Sequence, residues 1–166
     1  RAEADPDALL AGLPDRALVV GLVGISNHDN MGGIFRNAAA FGADAVLLDR
    51  TCCDPLYRKA IRVSVGATLT TRFARAGSAA DLVDRLEAAG FTVAALAPRG
   101  ATELAAMQLG PRAAVLFGAE GAGLPQAVLQ RAATVQIEMA GGFDSLNVAT
   151  TSGIVLHHVV RRENRL

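Results

Sequence analysis

The sequence predicts an α/β protein built on a parallel sheet with helices on both faces. Three observations predict it. Short, almost wholly apolar runs recur along the chain, stretches with helical spacing of apolar residues separate them, and polar glycine-bearing clusters follow the runs. A strand covered on both faces loses the polar alternation of a half-exposed one, and parallel neighbours need a crossover, usually a helix.

The elements follow in order. Residues 17–25 form an uncharged run rich in β-branched residues and predict a first strand. After a polar loop, residues 33–41 place Ile34, Phe35, Ala38 and Ala39 on one helical face. Residues 45–48 read as a strand announced by Gly42 and closed by Asp49, and residues 68–73 as a possible strand. A helix over 79–89 ends at Gly90, and a strand over 91–97 stops at Pro98. A strand over 113–117, a helix over 125–131, a strand over 134–137 and a last helix over 146–163 complete a repeated βαβ order.

With 166 residues, 51% hydrophobic and 19% charged, the chain suits one compact domain with a sizeable core. Residues 1–14 read as a linker or short helix, and residues 15–166 as the domain. Aromatic content is 4% without Trp, which fits tight helix-on-sheet packing better than an aromatic-rich sandwich. Formal net charge is zero, so nucleic-acid binding through bulk field alone is disfavoured. The balance conceals basic clusters at Arg58, Lys59 and Arg62, at Arg72 and Arg75, and at Arg161, Arg162 and Arg165, each readable as solvated surface.

Adjacent Cys52 and Cys53 bridge only with strain and read as buried or half-buried thiols. No apolar run reaches membrane-spanning length and no signal-peptide pattern opens the chain, so a cytoplasmic protein without membrane attachment is expected. The first residue is Arg1 rather than Met, and an upstream segment is expected to be missing.

Chemistry concentrates in three clusters: residues 30–36 (Asn-Met-Gly-Gly-Ile-Phe-Arg), residues 117–124 (Phe-Gly-Ala-Glu-Gly-Ala-Gly-Leu) and residues 137–148, which carry Met139, Gly141, Ser145, Leu146 and Asn147. Each follows a predicted strand, and in open α/β sheets ligands bind beyond the carboxyl ends of strands. A loop entering a helix also exposes unpaired N–H groups. Taken singly, each has a plainer reading. Asn30 caps the next helix, Arg36 is a solvated helical residue, Glu120 sits in an exposed turn, Ser145 is an N-cap and Asn147 a surface residue of the first turn.

Several familiar sites fail on specific residues. The segment 20–24 lacks G-x-G-x-x-G, no triphosphate loop occurs, and Ser145 is not in G-x-S-x-G. His28, His157 and His158 have no Cys or carboxylate at ligand spacing, so no metal is expected.

Taken together the clusters are more specific. Asn30-x-Gly32-x-x-x-Arg36, Leu116-Phe117-Gly118-x-Glu120-Gly121-x-Gly123-Leu124 and Ile137-x-Met139-x-Gly141-x-x-x-Ser145-Leu146-Asn147-Val148 resemble, in order and spacing, the three motifs of the SpoU/TrmH branch of the SPOUT RNA methyltransferases. The segment 57–66 resembles the stretch that follows the second strand in that family. This resemblance, over about residues 17–162, implies a SPOUT-type fold with a deep C-terminal trefoil knot, which general topology rules alone would disfavour. It implies a homodimer that uses S-adenosylmethionine to methylate a ribose 2′-hydroxyl of rRNA or tRNA. A SPOUT-fold RNA-binding or scaffold protein without transfer is the alternative.

By the same resemblance, Gly118, Ile137, Met139, Gly141 and Leu146 match positions that hold the methyl donor, and Arg36, Asn30, Glu120, Ser145 and Asn147 match catalytic or site-shaping positions. A guanidinium is a poor base, so Arg36 is read as a phosphate anchor and alkoxide stabiliser, in its own site or across the dimer. The chain departs from the family at Glu138, where Pro is usual, and at residues 149–152, Ala-Thr-Thr-Ser in place of a largely apolar small run. Glu138 puts a carboxylate near the donor loop unless alternation turns it outward.

Overall fold

The computed structural model describes residues 4–165. Seven strands form one sheet in the order β3-β2-β1-β6-β4-β7-β5. Every registered pair in it is parallel. The strands are β1 (Ala17–Val23), β2 (Ala45–Leu48), β3 (Phe73–Arg75), β4 (Thr92–Leu96), β5 (Thr102–Glu103), β6 (Arg112–Gly118) and β7 (Ala133–Gln136). The helices are α1 (Pro6–Ala11), α2 (His28–Ala40), α3 (Arg58–Val63), α4 (Ala67–Thr70), α5 (Ala79–Ala88), α6 (Gln126–Leu129) and α7 (Val148–Arg162), with a 3-10 turn at Leu104–Ala106.

β1 shows how the layers form. All seven of its residues are buried. Leu18, Val20 and Leu22 enter one core with Ile34 and Phe35 of α2 and Val155 and Leu156 of α7. Ala17, Val19 and Val23 enter the other with Leu10 of α1 and Leu82 and Leu86 of α5. Alternate residues thus face opposite apolar layers, which is why the run carries no polar period.

The α1 segment is docked on this second core. Leu10 is buried, and the Arg112 guanidinium donates to the carbonyls of Leu10, Leu13, Pro14 and Ala89 while lying 4.4 Å over the Phe91 ring. Among the described residues, no helix is long and apolar enough to cross a membrane.

One expected element changes type. Residues 68–73, read as a possible strand, divide into helix α4 and the start of β3. Gly66 at φ 82° starts α4, and the Ser64 hydroxyl accepts from the Thr68 amide at 3.3 Å, so a local side-chain bond selects the turn over the strand. The sequence reading also assigned no helix to residues 58–63 and no strand to residues 102–103.

At the carboxyl ends of β1 and β2, Asp49 holds the turns in place. It is 4% exposed, and its Oδ1 accepts from the amides of Gly24, Thr51 and Cys52, each at 3.1 Å. Burying a carboxylate is costly without such donors. Asp49→Ala leaves those amides unpaired and should lower the unfolding free energy by about 3 kcal/mol, measured by urea titration.

Beside it, burial pushes the Cys52 thiol up from 9.0 to about 12, with the Asp49 charge adding to the rise. A raised thiol stabilises the folded state fully below the unfolded value. That contribution is lost as pH climbs from 9.0 to about 12. The stability of wild type relative to Cys52→Ala should therefore fall over this window, by up to about 1.4 kcal/mol per pH unit, as read from unfolding curves at stepped pH.

Candidate functional site

The site begins with how closely α2 and α7 approach. A Cβ at Gly33 would lie 2.8 Å from the Ala149 Cβ, so only glycine lets the helices meet here. Asn37 of α2 then donates through Nδ2 to the Ala149 carbonyl at 2.8 Å and to the Ser152 hydroxyl at 2.9 Å. The departure at residues 149–152 gains a reason. Ala149 is small where the helices touch, and fully buried Ser152 is hydrogen-bonded to the facing helix.

This packing brings the first turns of both helices together at the carboxyl edge of the sheet. Asn27, rather than Asn30, caps α2, accepting from the amides of Asp29 and Asn30. Asn147, rather than Ser145, caps α7, accepting through Oδ1 from Ala149 N at 3.0 Å and Thr150 N at 3.2 Å. That orientation leaves its Nδ2 to donate to Asn30 Oδ1 at 2.8 Å and to Glu120 Oε1 at 3.0 Å. One amide joins all three clusters. Ser145 lies in the loop before the helix and is exposed.

A cavity of about 500 Å³ opens beside this junction, within the range of small-molecule sites. Gly118, Glu120, Ile137, Met139, Ser145, Leu146 and Asn147 line it. Gly118 permits the tight return of its loop, because a Cβ there would sit 2.4 Å from the Gly123 carbonyl carbon. Glu138 is exposed and absent from the wall that Ile137 and Met139 share, so alternation turns its carboxylate outward.

Three expected site residues lie outside the cavity wall, of which Asn30 is tied to it through Asn147. Gly141, at φ 70°, is in the same loop but outside the wall, where its conformation permits the turn before Phe143. Arg36 projects from the exposed part of α2 and is not in the cavity wall of its own chain. The sequence reading missed Leu96, Ala97 and Pro98, which close the cavity at the end of β4. Pro98 had been legible only as a strand terminator.

Residues 17–157 match the SpoU rRNA Methylase family. The chain belongs to this family. Among its SpoU relatives is a Mycobacterium tuberculosis (strain ATCC 25618 / H37Rv) protein named as an uncharacterized tRNA/rRNA methyltransferase, 41% identical over 145 residues, covering 84% of this chain and 50% of the relative. A structure of an AdoMet-bound rRNA methyltransferase from Sinorhizobium meliloti superposes with a TM-score of 0.85 at 30% identity, over 93% of this chain and 60% of that one. A structure described as an RNA 2′-O ribose methyltransferase gives a TM-score of 0.83 at 30% identity, over 91% of this chain and 58% of that one. The chain thus spans about half the length of the curated SpoU relatives it matches.

Asn147→Ala removes the cap and both tethers, and should cost about 2 kcal/mol of unfolding free energy. Asn147→Asp keeps a capping oxygen but turns its second carboxylate oxygen toward Glu120 Oε1 and Asn30 Oδ1, so like-charge repulsion should make it recover none of that loss in the same urea experiment.

Proposed function

We propose that this chain carries an S-adenosylmethionine-dependent RNA methyltransferase that acts on a ribose 2′-hydroxyl of rRNA or tRNA, as a homodimer in the cytoplasm. The observation that carries this reading is that the second and third clusters line one cavity and the first is tied to them through the Asn30–Asn147–Glu120 chain of hydrogen bonds. The donor bound in the Sinorhizobium meliloti neighbour and the ribose oxygen named for the other neighbour support it.

The residues present fit the donor. Leu96, Ile137, Met139 and Leu146 supply an apolar slot for an adenine ring, and the tight loop at Gly118 brings main-chain groups to its edge. The bound donor supplies a methyl group already activated on a sulfonium. The protein's work is then to align the ribose oxygen and take its proton. Glu120 has one carboxylate oxygen held by Asn147, while the other accepts from no donor among the described residues. We assign proton acceptance to that second oxygen. Asn147, with all its hydrogen-bonding capacity used, is a positioning residue for Glu120 and Asn30, and Ser145 at the mouth orients the ribose.

Arg36 is assigned to the partner's cavity, because it lies outside the wall of its own. There its guanidinium anchors a phosphate and stabilises charge developing on the ribose oxygen. The trefoil knot belongs to the same proposal. Its support is that residues between β7 and α7 return across the sheet to set Asn147 against Glu120 and Asn30.

Tritiated methyl transfer to total RNA from a strain lacking the gene, followed by nuclease mapping, tests the reading. Label in a 2′-O-methylated nucleotide is the expected result, and label confined to a base overturns it. Arg36→Ala should reduce turnover at least about 100-fold while calorimetry shows donor affinity unchanged. Mixing Arg36→Ala with Glu120→Gln protomers should restore transfer, since one of the two composite sites is then intact.

A further inference from the structure

We propose that Tyr57, backed by His28, is a stacking platform for the base of a nucleotide adjoining the methylated one, and that Arg58 and Arg62 hold its phosphates. This rests on the reading of the protein as an RNA methyltransferase.

Tyr57 stands at the N-cap position of α3 yet makes no side-chain capping bond. It is 56% exposed, and its ring centroid lies 4.4 Å from that of His28 at an interplanar angle of 38°. A ring braced on one side by another ring and open on the other is the arrangement on which unpaired bases stack. Arg58 and Arg62 are one helical turn apart, both exposed, and form no ion pair or hydrogen bond among the described residues. Lys59, by contrast, is engaged with Asp29 at 2.6 Å.

The platform is fixed to the site. A Cβ at Gly32 would lie 2.7 Å from the Ala60 carbonyl oxygen and 2.8 Å from the Val63 Cβ, so α3 rests directly on α2. The Lys59–Asp29 pair fastens α3 to the same first turn that carries Asn30. His28 and Asn30 point to different sides of that turn, separated by about one helix diameter, roughly 10 Å. This distance suits a neighbouring nucleotide rather than the target itself.

A second observation marks the segment. Val65, at the end of α3, has φ 55° and is 71% exposed. A β-branched residue there is strained, and such strain gathers at ligand clamps when the surroundings enforce it. Buried Ser64 and Thr68 enforce it, with the Ser64 hydroxyl donating to the Ile61 carbonyl at 3.0 Å. An acidic protein segment would engage the guanidiniums but leave the ring pair without a role. Single-stranded RNA engages both.

The test compares wild type, Tyr57→Ala and Tyr57→Trp in the full chain, using a short single-stranded RNA that contains the mapped methylation site. Tyr57→Ala should raise the RNA Kd and KM about tenfold or more, with kcat at saturating RNA and donor affinity unchanged, and Tyr57→Trp should restore binding. Arg58→Ala and Arg62→Ala should each reduce the slope of log K against log salt by about one. Unchanged RNA binding by Tyr57→Ala, in a preparation whose wild type methylates ribose, would falsify the platform. A wild type that methylates no ribose sinks the functional reading instead. Sedimentation of Tyr57→Ala as a smaller species than wild type would make this face a contact between copies and overturn the proposal as well.

Discussion

The side-chain amide of Asn147 is the constraint on which the site depends. Its oxygen ends the unpaired N–H groups of α7, and its nitrogen ties that helix to Asn30 on α2 and to Glu120 beyond β6. Each bond alone is worth about 1 kcal/mol, too little to organise a loop. Acting together from one rigid group, they fix three chain segments far apart in sequence. They form only because Gly33 and Ala149 let the two helices meet, and because the part-buried Asn37–Ser152 bond sets their rotation.

Much of the fold was legible because the strands near the sheet centre are uninterrupted apolar runs; the four residues of β2 match their expected bounds. Short elements were not. Thr68 has strand propensity, yet its amide is captured by Ser64 four residues back, a bond that depends on Gly66 turning left-handed between them. The two-residue β5 exists only by pairing with β7 and has no pattern of its own.

For the site, residue types and spacing identified the clusters, but not which member would cap. Ser145 and Asn147 are both good caps locally. The choice falls to Asn147 because a side chain with two donors left over can satisfy Asn30 and Glu120 as well, and a hydroxyl cannot. Leu96 to Pro98 escaped notice for a related reason: an apolar strand end becomes a cavity wall only through its neighbours in the sheet. Arg112 and Arg165 spend their guanidiniums on backbone carbonyls, whereas Arg36, Arg58 and Arg62 remain exposed.

Because α7 and the loop before it form one side of the cavity, the pocket is complete only once they have docked. A ribosome-bound chain that has folded through β7 still lacks the wall formed by Leu146, Asn147 and Thr151. Ligand that binds only the completed wall would pull this final docking step forward by mass action. Donor binding would thereby raise the fraction of chains in which α7 is docked, apart from any effect on turnover.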